Sequence, residues 1–267
     1  MLTTKSFFDV SAFENKEVFN SSTNVWDTLK NLKEYMNGYD YAGLNPALPE
    51  NRPLPHSYVL FMGELLQVTE NFHIDLGDAT KGKMRVFRND VLLEGASLIM
   101  AGVILDGGPL SLGKGVLIES GAFVKSPVIL GDCTEVRQGA YLRGYCLAGK
   151  RCVIGHVTEV KHSIFLDDAK AGHFAYLGDS ILGNQVNLGA GTKLANLRFT
   201  GGDVPVRTKE GLVSTGLRKF GAILGDHVQT GCNSVTNPGA LLGKKSMLLP
   251  NSTAPSGYHA DSSLIRG

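Results

Sequence analysis

The chain has 267 residues, and its 26 Lys and Arg against 25 Asp and Glu leave a formal net charge of +1. That length suits one large domain, or one domain with an attachment. So even a charge balance offers no global field to nucleic acid or to an anionic membrane, so an anion site must come from a local cluster and the expected partner is a small molecule.

The opening MLTTKSFFDV has no apolar run behind a basic start, and no stretch of the chain approaches the ~18 apolar residues of a membrane span. The expectation is a cytosolic protein. Ser21-Ser-Thr-Asn24, followed by Trp26, Leu29, Leu32 and Met36, predicts a capped amphipathic helix with one apolar face for packing. Residues 37–56 are rich in Gly, Asn and Pro and read as a linker on the body, so that residues 1–57 form an N-terminal helix-and-linker segment. Two apolar stretches within 58–104, YVLFMG and VLLEGASLIMAGVIL, are expected to lead into the first coils of a repeat.

From Leu112 an aliphatic residue, with one small exception, falls on every sixth position: Leu112, Ile118, Val124, Leu130, Val136, Leu142, Ala148, Ile154, Val160 and Leu166. After contractions from Leu166 to Ala171 and from Leu177 to Leu182, the period resumes at Leu188 and Leu194. It returns as Leu224, Thr230, Thr236, Leu242 and Leu248. Neither the 3.6-residue helical period nor strand alternation generates six, and Gly at 33 residues would cost a helix about 1 kcal/mol each. A hexapeptide repeat marks a parallel β-helix, three hexads to a coil, with Gly beside the inward aliphatic at tight corners such as Leu130-Gly131, Ile154-Gly155 and Leu242-Gly243. The fold expected is therefore all-β: a left-handed parallel β-helix over 58–255 with a loop insertion at 197–218, a short N-terminal helical and irregular segment, and a tail at 256–267. A sandwich would instead place turns every ~8–12 residues.

Two stretches imitate a phosphate loop, Gly77 to Lys83 and Gly108 to Lys114, but Met84 and Gly115 stand where Ser or Thr should hold Mg²⁺, so turn glycines are the better reading. The four cysteines, Cys133, Cys146, Cys152 and Cys232, form no C-x-x-C pair and suit reduced packing thiols. Of the seven histidines, His156 and His162 lie one hexad apart, hence on adjacent faces of the prism, which argues against a shared metal.

Polar side chains gather between Lys161 and Asn196, where the contractions break the rhythm. Arg143 and Lys161 are eighteen residues apart and each follows an inward aliphatic, so they stack on one face. Two cations so placed either hold an anion such as phosphate between them or belong to a solvated charged face. A neutral His nearby could accept the proton of an attacking amine.

The stretch Ala169-Lys-Ala-Gly-His-Phe-Ala-Tyr-Leu-Gly-Asp179, followed by Asn187-Leu-Gly-Ala-Gly191 and Asn196, resembles the acetyltransferase half of the bifunctional N-acetylglucosamine-1-phosphate uridylyltransferase/glucosamine-1-phosphate acetyltransferase. The resemblance covers roughly the second half of the chain. It implies that His173 takes the proton of the sugar amine, that Arg143, Lys161 and Lys219 bind phosphate, and that Tyr176, Asn187 and Asn196 contact the sugar, Asn196 also positioning the reacting groups. The Ala190 backbone would form part of an acetyl-CoA site, acetyl-CoA being the acyl donor and no metal being needed. The loop at 197–218 is longer than the family's, so Lys219 is placed only through Lys219-Phe220 and the restart at Ile223-Leu-Gly-Asp226. Cys232 stands where the family has a serine lining the coenzyme site, and Pro250 where it has a small residue. No Gly-rich nucleotide loop matches the uridylyltransferase half. The family implies a homotrimer with sites between subunits and N-acetylation of an amino-sugar 1-phosphate for nucleotide-sugar or cell-envelope precursor synthesis. The alternatives are an acyltransferase of the same fold acting on another amino sugar or with another acyl donor, a non-catalytic or regulatory β-helix that binds sugar phosphates or partners a nucleotidyltransferase, and a nucleotidylyltransferase-related protein lacking its nucleotide domain.

Overall fold

The computed structural model describes residues 2–41, 48–208 and 210–266. Residues 42–47 of the expected linker and Lys209 of the expected loop lie outside them. The chain visits three sheets in turn. The first face is an eleven-stranded sheet that includes Ser97–Ile99, Glu135–Val136, Val153–His156, Lys170–His173, Asn187–Leu188 and Gln229–Thr230 and ends at Leu264–Ile265. The second is eight-stranded and includes Tyr141–Arg143, Glu159–Lys161, Tyr176–Gly178 and Lys193–Leu194. The third, also eight-stranded, includes Cys146–Ala148, Ser163–Phe165, Ile181–Leu182 and Ala222–Leu224. The coils stack in parallel, as the six-residue period requires, because each hexad turns one corner and sends one side chain inward. Ile118, Val136 and Ile154 from the first face, Val124, Leu142 and Val160 from the second, and Leu130 and Ala148 from the third share one buried interior.

The first contraction lies elsewhere than the aliphatic pattern suggests. Ala148 pairs with Phe165, and Phe165 with Leu182, so Phe165 is the inward residue. Leu166 instead joins a separate cluster outside the prism. Both are apolar because both are buried, one on each side of the sheet. The bulk of Phe165 is accommodated by Ala148 in the coil before it and by Ala169, Ala171 and Ala175 in its own. Thus Val160, Leu177 and Leu194 pair at seventeen-residue intervals where Leu142 and Val160 are eighteen apart, and both lost residues come from the corner between the second and third faces.

The parallel stack also has different ends from the expected 58–255. Tyr58–Phe61 and Glu64–Gln67 form a hairpin that joins the first face antiparallel, while Phe72–Asp75, Arg85–Arg88 and Val91–Leu92 make a separate antiparallel sheet. Their turns, Met62-Gly63 and Asn89-Asp90, have positive φ at both residues, the geometry that two-residue hairpins favour. The parallel stack begins at Ser97–Ile99. At the other end, Gly257–His259 and Leu264–Ile265, placed by the sequence in a tail, continue the third and first faces.

The helix Asp27–Asn37 buries Leu29, Leu32 and Met36, as its stripe predicts. Its first residue Asp27 accepts from the Asn24 backbone N–H at 2.9 Å rather than the helix receiving a side-chain cap from 21–24. With Phe7, Phe8, Phe13 and Trp26 it covers the outward residues Ile129, Leu147, Ile164, Leu166 and Ile181 of the third face. The insertion covers the rest of that face: Val204 and Val206 are buried against Phe220, Ile223 and Leu241, and Val206–Thr208 forms a hairpin with Gly211–Val213. Most of its described residues are exposed, and Val204, Val206 and Thr215 anchor it to the coils.

Candidate active site

His173 ends the strand Lys170–His173 at the corner where the first face gives way to the second. Corners stack as the coils do, and the backbone N–H of each following residue donates one coil back. Phe174 donates to the His156 carbonyl, Gly191 to His173, Asn233 to Ala190 and Asn251 to Cys232, at 2.8–3.0 Å. His156, His173, Ala190, Cys232 and Pro250 therefore form one column, so residues chosen at scattered positions in the sequence fall in line. Beside it runs a groove of ≈ 640 Å³ lined by His173, Asn187, Ala190 and Cys232, together with Lys170, Arg137 and the turn that carries Gly77, Asp78, Thr80 and Lys81. Gly172 and Gly189 also line it, and a Cβ on Gly172 would meet nothing within 4 Å.

The remaining residues lie around the second face. Arg143 Nη1 donates to Glu159 at 2.6 Å, and its guanidinium lies 5.9 Å from the Tyr141 ring. Lys161 Nζ is 3.4 Å from both oxygens of Asp179. The two cations are stacked as expected, yet each already has a carboxylate partner in the chain itself. Burial, with Glu159 and Asp179 close by, pushes the Tyr176 phenol up, so it is a protonated donor at neutral pH. Asn196 is buried, and its Nδ2 donates to Asp179 Oδ2 at 2.6 Å. Where the insertion returns, Phe220 N–H donates to the Asn196 carbonyl at 2.9 Å, which places exposed Lys219 at the same corner.

Asp179, which ends the stretch that carries the family resemblance and has no role assigned from the sequence, is central to this network. Its Oδ1 also accepts from His162 Nδ1 at 2.9 Å. Burial alone would raise its carboxyl, but the bonds from His162, Lys161 and Asn196 outweigh burial and hold it below the usual carboxylate range. The signal for it was positional: Tyr145, His162 and Asp179 occupy equivalent left-handed corner positions in successive coils, with φ of 51°, 47° and 51°.

One chain does not gather every candidate residue. His173, Asn187, Ala190 and Cys232 share the groove, whereas none of Arg143, Lys161, Tyr176, Asn196 and Lys219 lines it. His156 and His162 sit at different corners; it is His156 and His173, seventeen residues apart, that meet in register. Among the described residues no group of three or more His, Cys, Asp or Glu is placed to hold a metal ion, and no helix is long and apolar enough to cross a membrane. The second phosphate-loop look-alike contains the strand Leu110–Leu112, and a Cβ on Gly113 would lie 2.6 Å from the Asp132 backbone N, so close coil packing accounts for that glycine.

Residues 124–247 match the family model described as the GMPPB C-terminal domain. The chain is 37% identical over 151 residues to a bifunctional sugar-1-phosphate nucleotidylyltransferase/acetyltransferase of Sulfurisphaera tokodaii, a match covering 50% of this chain and 38% of that protein. It is 33% identical over 221 residues to the bifunctional protein GlmU of Methanococcus aeolicus, covering 70% of this chain and 52% of the relative. The chain is a homologue of these bifunctional transferases. To GlmU of a Picosynechococcus species it is 31% identical over 165 residues, covering 60% of the chain and 32% of the relative. It thus spans about half or less of the length of these GlmU-type relatives, matching their C-terminal region. The similarity falls in the C-terminal region of these transferases, and the stacked coils are consistent with the acetyltransferase β-helix.

Proposed function

We propose that the chain is an acetyl-CoA-dependent N-acetyltransferase for an amino-sugar 1-phosphate such as glucosamine 1-phosphate. The observation that carries this reading is the corner column that sets His173 in line with Ala190 and Cys232 along one groove. Bound acetyl-CoA would supply the acyl carbon. His173 would take the proton from the amine as it attacks, a role open to an exposed imidazole at a groove edge. Arg143, Lys161 and Lys219 would hold the sugar phosphate, Arg143 exchanging Glu159 for a phosphate oxygen and Lys161, with three N–H donors, reaching the phosphate while it stays beside Asp179. Tyr176 would donate to the sugar, and Asn187 and Asn196 would fix its orientation.

The division of these residues between two faces supports a homotrimer. If the second face of one subunit meets the first face of its neighbour, the phosphate-binding group and the coenzyme groove come together across the contact. Val157 and Phe174, 57% and 60% exposed at the His173 corner, are apolar surface that such a contact would bury. Light scattering should give three times the chain mass; an active monomer would exclude a shared site. A cytoplasmic location fits both substrates.

The test of function is thiol release from acetyl-CoA in the presence of a panel of amino-sugar 1-phosphates. Release that depends on the amino sugar supports the reading. Binding of the sugar phosphates with no release, at any substrate concentration, would convert the site into a binding pocket.

A further inference from the structure

We propose that Asp179 is the positioning residue that sets which end of the Asn196 carboxamide faces the acceptor, an inference that rests on the acetyltransferase reading of the site. An ionised carboxylate only accepts hydrogen bonds. Since Asp179 Oδ2 lies 2.6 Å from Asn196 Nδ2, the amide must turn its NH₂ inward and its carbonyl oxygen away. The carboxylate is itself fixed, being 5% exposed and receiving His162 Nδ1 on Oδ1 at 2.9 Å, with Lys161 Nζ 3.4 Å from each oxygen.

Gly178 makes the arrangement possible. A Cβ there would stand 3.0 Å from Asn196 Cγ and 2.7 Å from Tyr176 Oη. The amide and the phenol therefore share the space left by the missing side chain, on the second face. An outward carbonyl oxygen there can accept an N–H of the acceptor amine, leaving the nitrogen lone pair free for attack; an outward NH₂ would compete for that lone pair. Asp179 acts through Asn196 and does not itself touch the substrate. The N-terminal segment reaches the same network, because the Tyr145 ring lies edge-on to His162 at 6.2 Å and Lys33 Nζ is 5.3 Å from the centre of that tyrosine.

The experiment uses the full chain and Asp179→Asn, which keeps the volume and removes the charge that dictates orientation. Acetyl transfer to glucosamine 1-phosphate should fall about 10²-fold in kcat, the scale of a misplaced reacting group, while KM for the sugar phosphate moves less than about threefold. Because Asp179 works through Asn196, Asp179→Asn combined with Asn196→Ala should be no slower than Asn196→Ala alone. Additive losses, or a kcat like the wild type, would overturn the inference. Gly178→Ala provides a second route if Asp179→Asn fails to fold, since it displaces the amide with Asp179 intact and should reproduce the kcat loss. A wild type that transfers no acetyl group to any amino-sugar 1-phosphate would defeat the functional reading instead. Orientation would then be read by NMR of the Asn196 side-chain amide: one proton should sit downfield in the wild type and move upfield in Asp179→Asn, and an unmoved resonance would defeat it.

Discussion

The rings of His156 and His173 stack across adjacent coils, with centroids 5.6 Å apart and planes 23° from parallel. One ring thus lies against the face of the other, and only His173 lines the groove. If His173 is the base, His173→Ala should lower kcat by roughly 10²–10⁴ with little change in KM for the sugar phosphate. His156→Ala should cost far less, less than about tenfold, because it removes a support and no proton acceptor. Arg143→Ala and Lys161→Ala should act mainly through KM, since a phosphate held at ground state and transition state alike contributes uniform binding. Steady-state kinetics on the four variants decides among these roles; equal kcat losses in all four would mean that the residues have been misassigned.

The cysteines should divide sharply in reactivity. Burial pushes the Cys146 and Cys152 thiols up to about 12, so neither supplies thiolate at neutral pH. Cys232 is exposed and lines the groove. Alkylation followed by peptide mass spectrometry should label Cys232 first and leave Cys146 and Cys152 unmodified in the folded protein. Saturating acetyl-CoA should slow the labelling of Cys232; an unchanged rate would place the coenzyme elsewhere.

Trp26 is 1% exposed within the cluster that joins the N-terminal segment to the third face. Trp26→Ala should therefore destabilise the chain by about 3–5 kcal/mol, the usual cost of removing a large buried aromatic. Denaturant unfolding measures this directly. A loss under about 1 kcal/mol would mean that the segment is held only loosely to the coils.

Acid should weaken the site in a defined direction. The folded-state value of Asp179 is depressed, so its stabilising contribution is complete above the unfolded value of about 3.9 and is lost as pH falls through the lower folded value. The stability gap between wild type and Asp179→Asn should be constant from pH 7 to about 5 and narrow below about 4. A gap that held to pH 2 would show that the carboxylate gains nothing from its three donors.

The coils could be read from the sequence because one side chain per hexad faces the interior, and that side chain is almost always aliphatic. The same logic failed at Phe165-Leu166, where adjacent apolar residues are buried on opposite sides of the sheet and composition does not say which faces in. The hairpins before Ser97 lie outside the six-residue period, and only the two-residue turns Met62-Gly63 and Asn89-Asp90 signal their antiparallel strands. At the site, residues that stack at a corner could be counted forward, which is how Arg143 and Lys161 were paired. His156 and His173 escaped that count because a shortened corner changes eighteen to seventeen. Asp179 escaped for a different reason. An aspartate before a serine in a turn looks like ordinary turn chemistry, and its three donors, Lys161, His162 and Asn196, come from the preceding and following coils.

The insertion between Asn196 and Phe220 has a consequence for how such molecules can diversify. Leu182 pairs with Leu224 and Leu188 with Thr230 as though the intervening chain were absent. The ladder resumes its register on the far side, so this corner works as a port through which a cassette can be exchanged, provided that the new one still covers Ile223 and Leu241 as Val204 and Val206 do. Its first turn, where Phe199 is fully exposed, follows directly after Asn196. If Asn196 contacts the acceptor as proposed, selection can rewrite what surrounds it while leaving the His173 column untouched, and a grafted cassette should change the sugar preference.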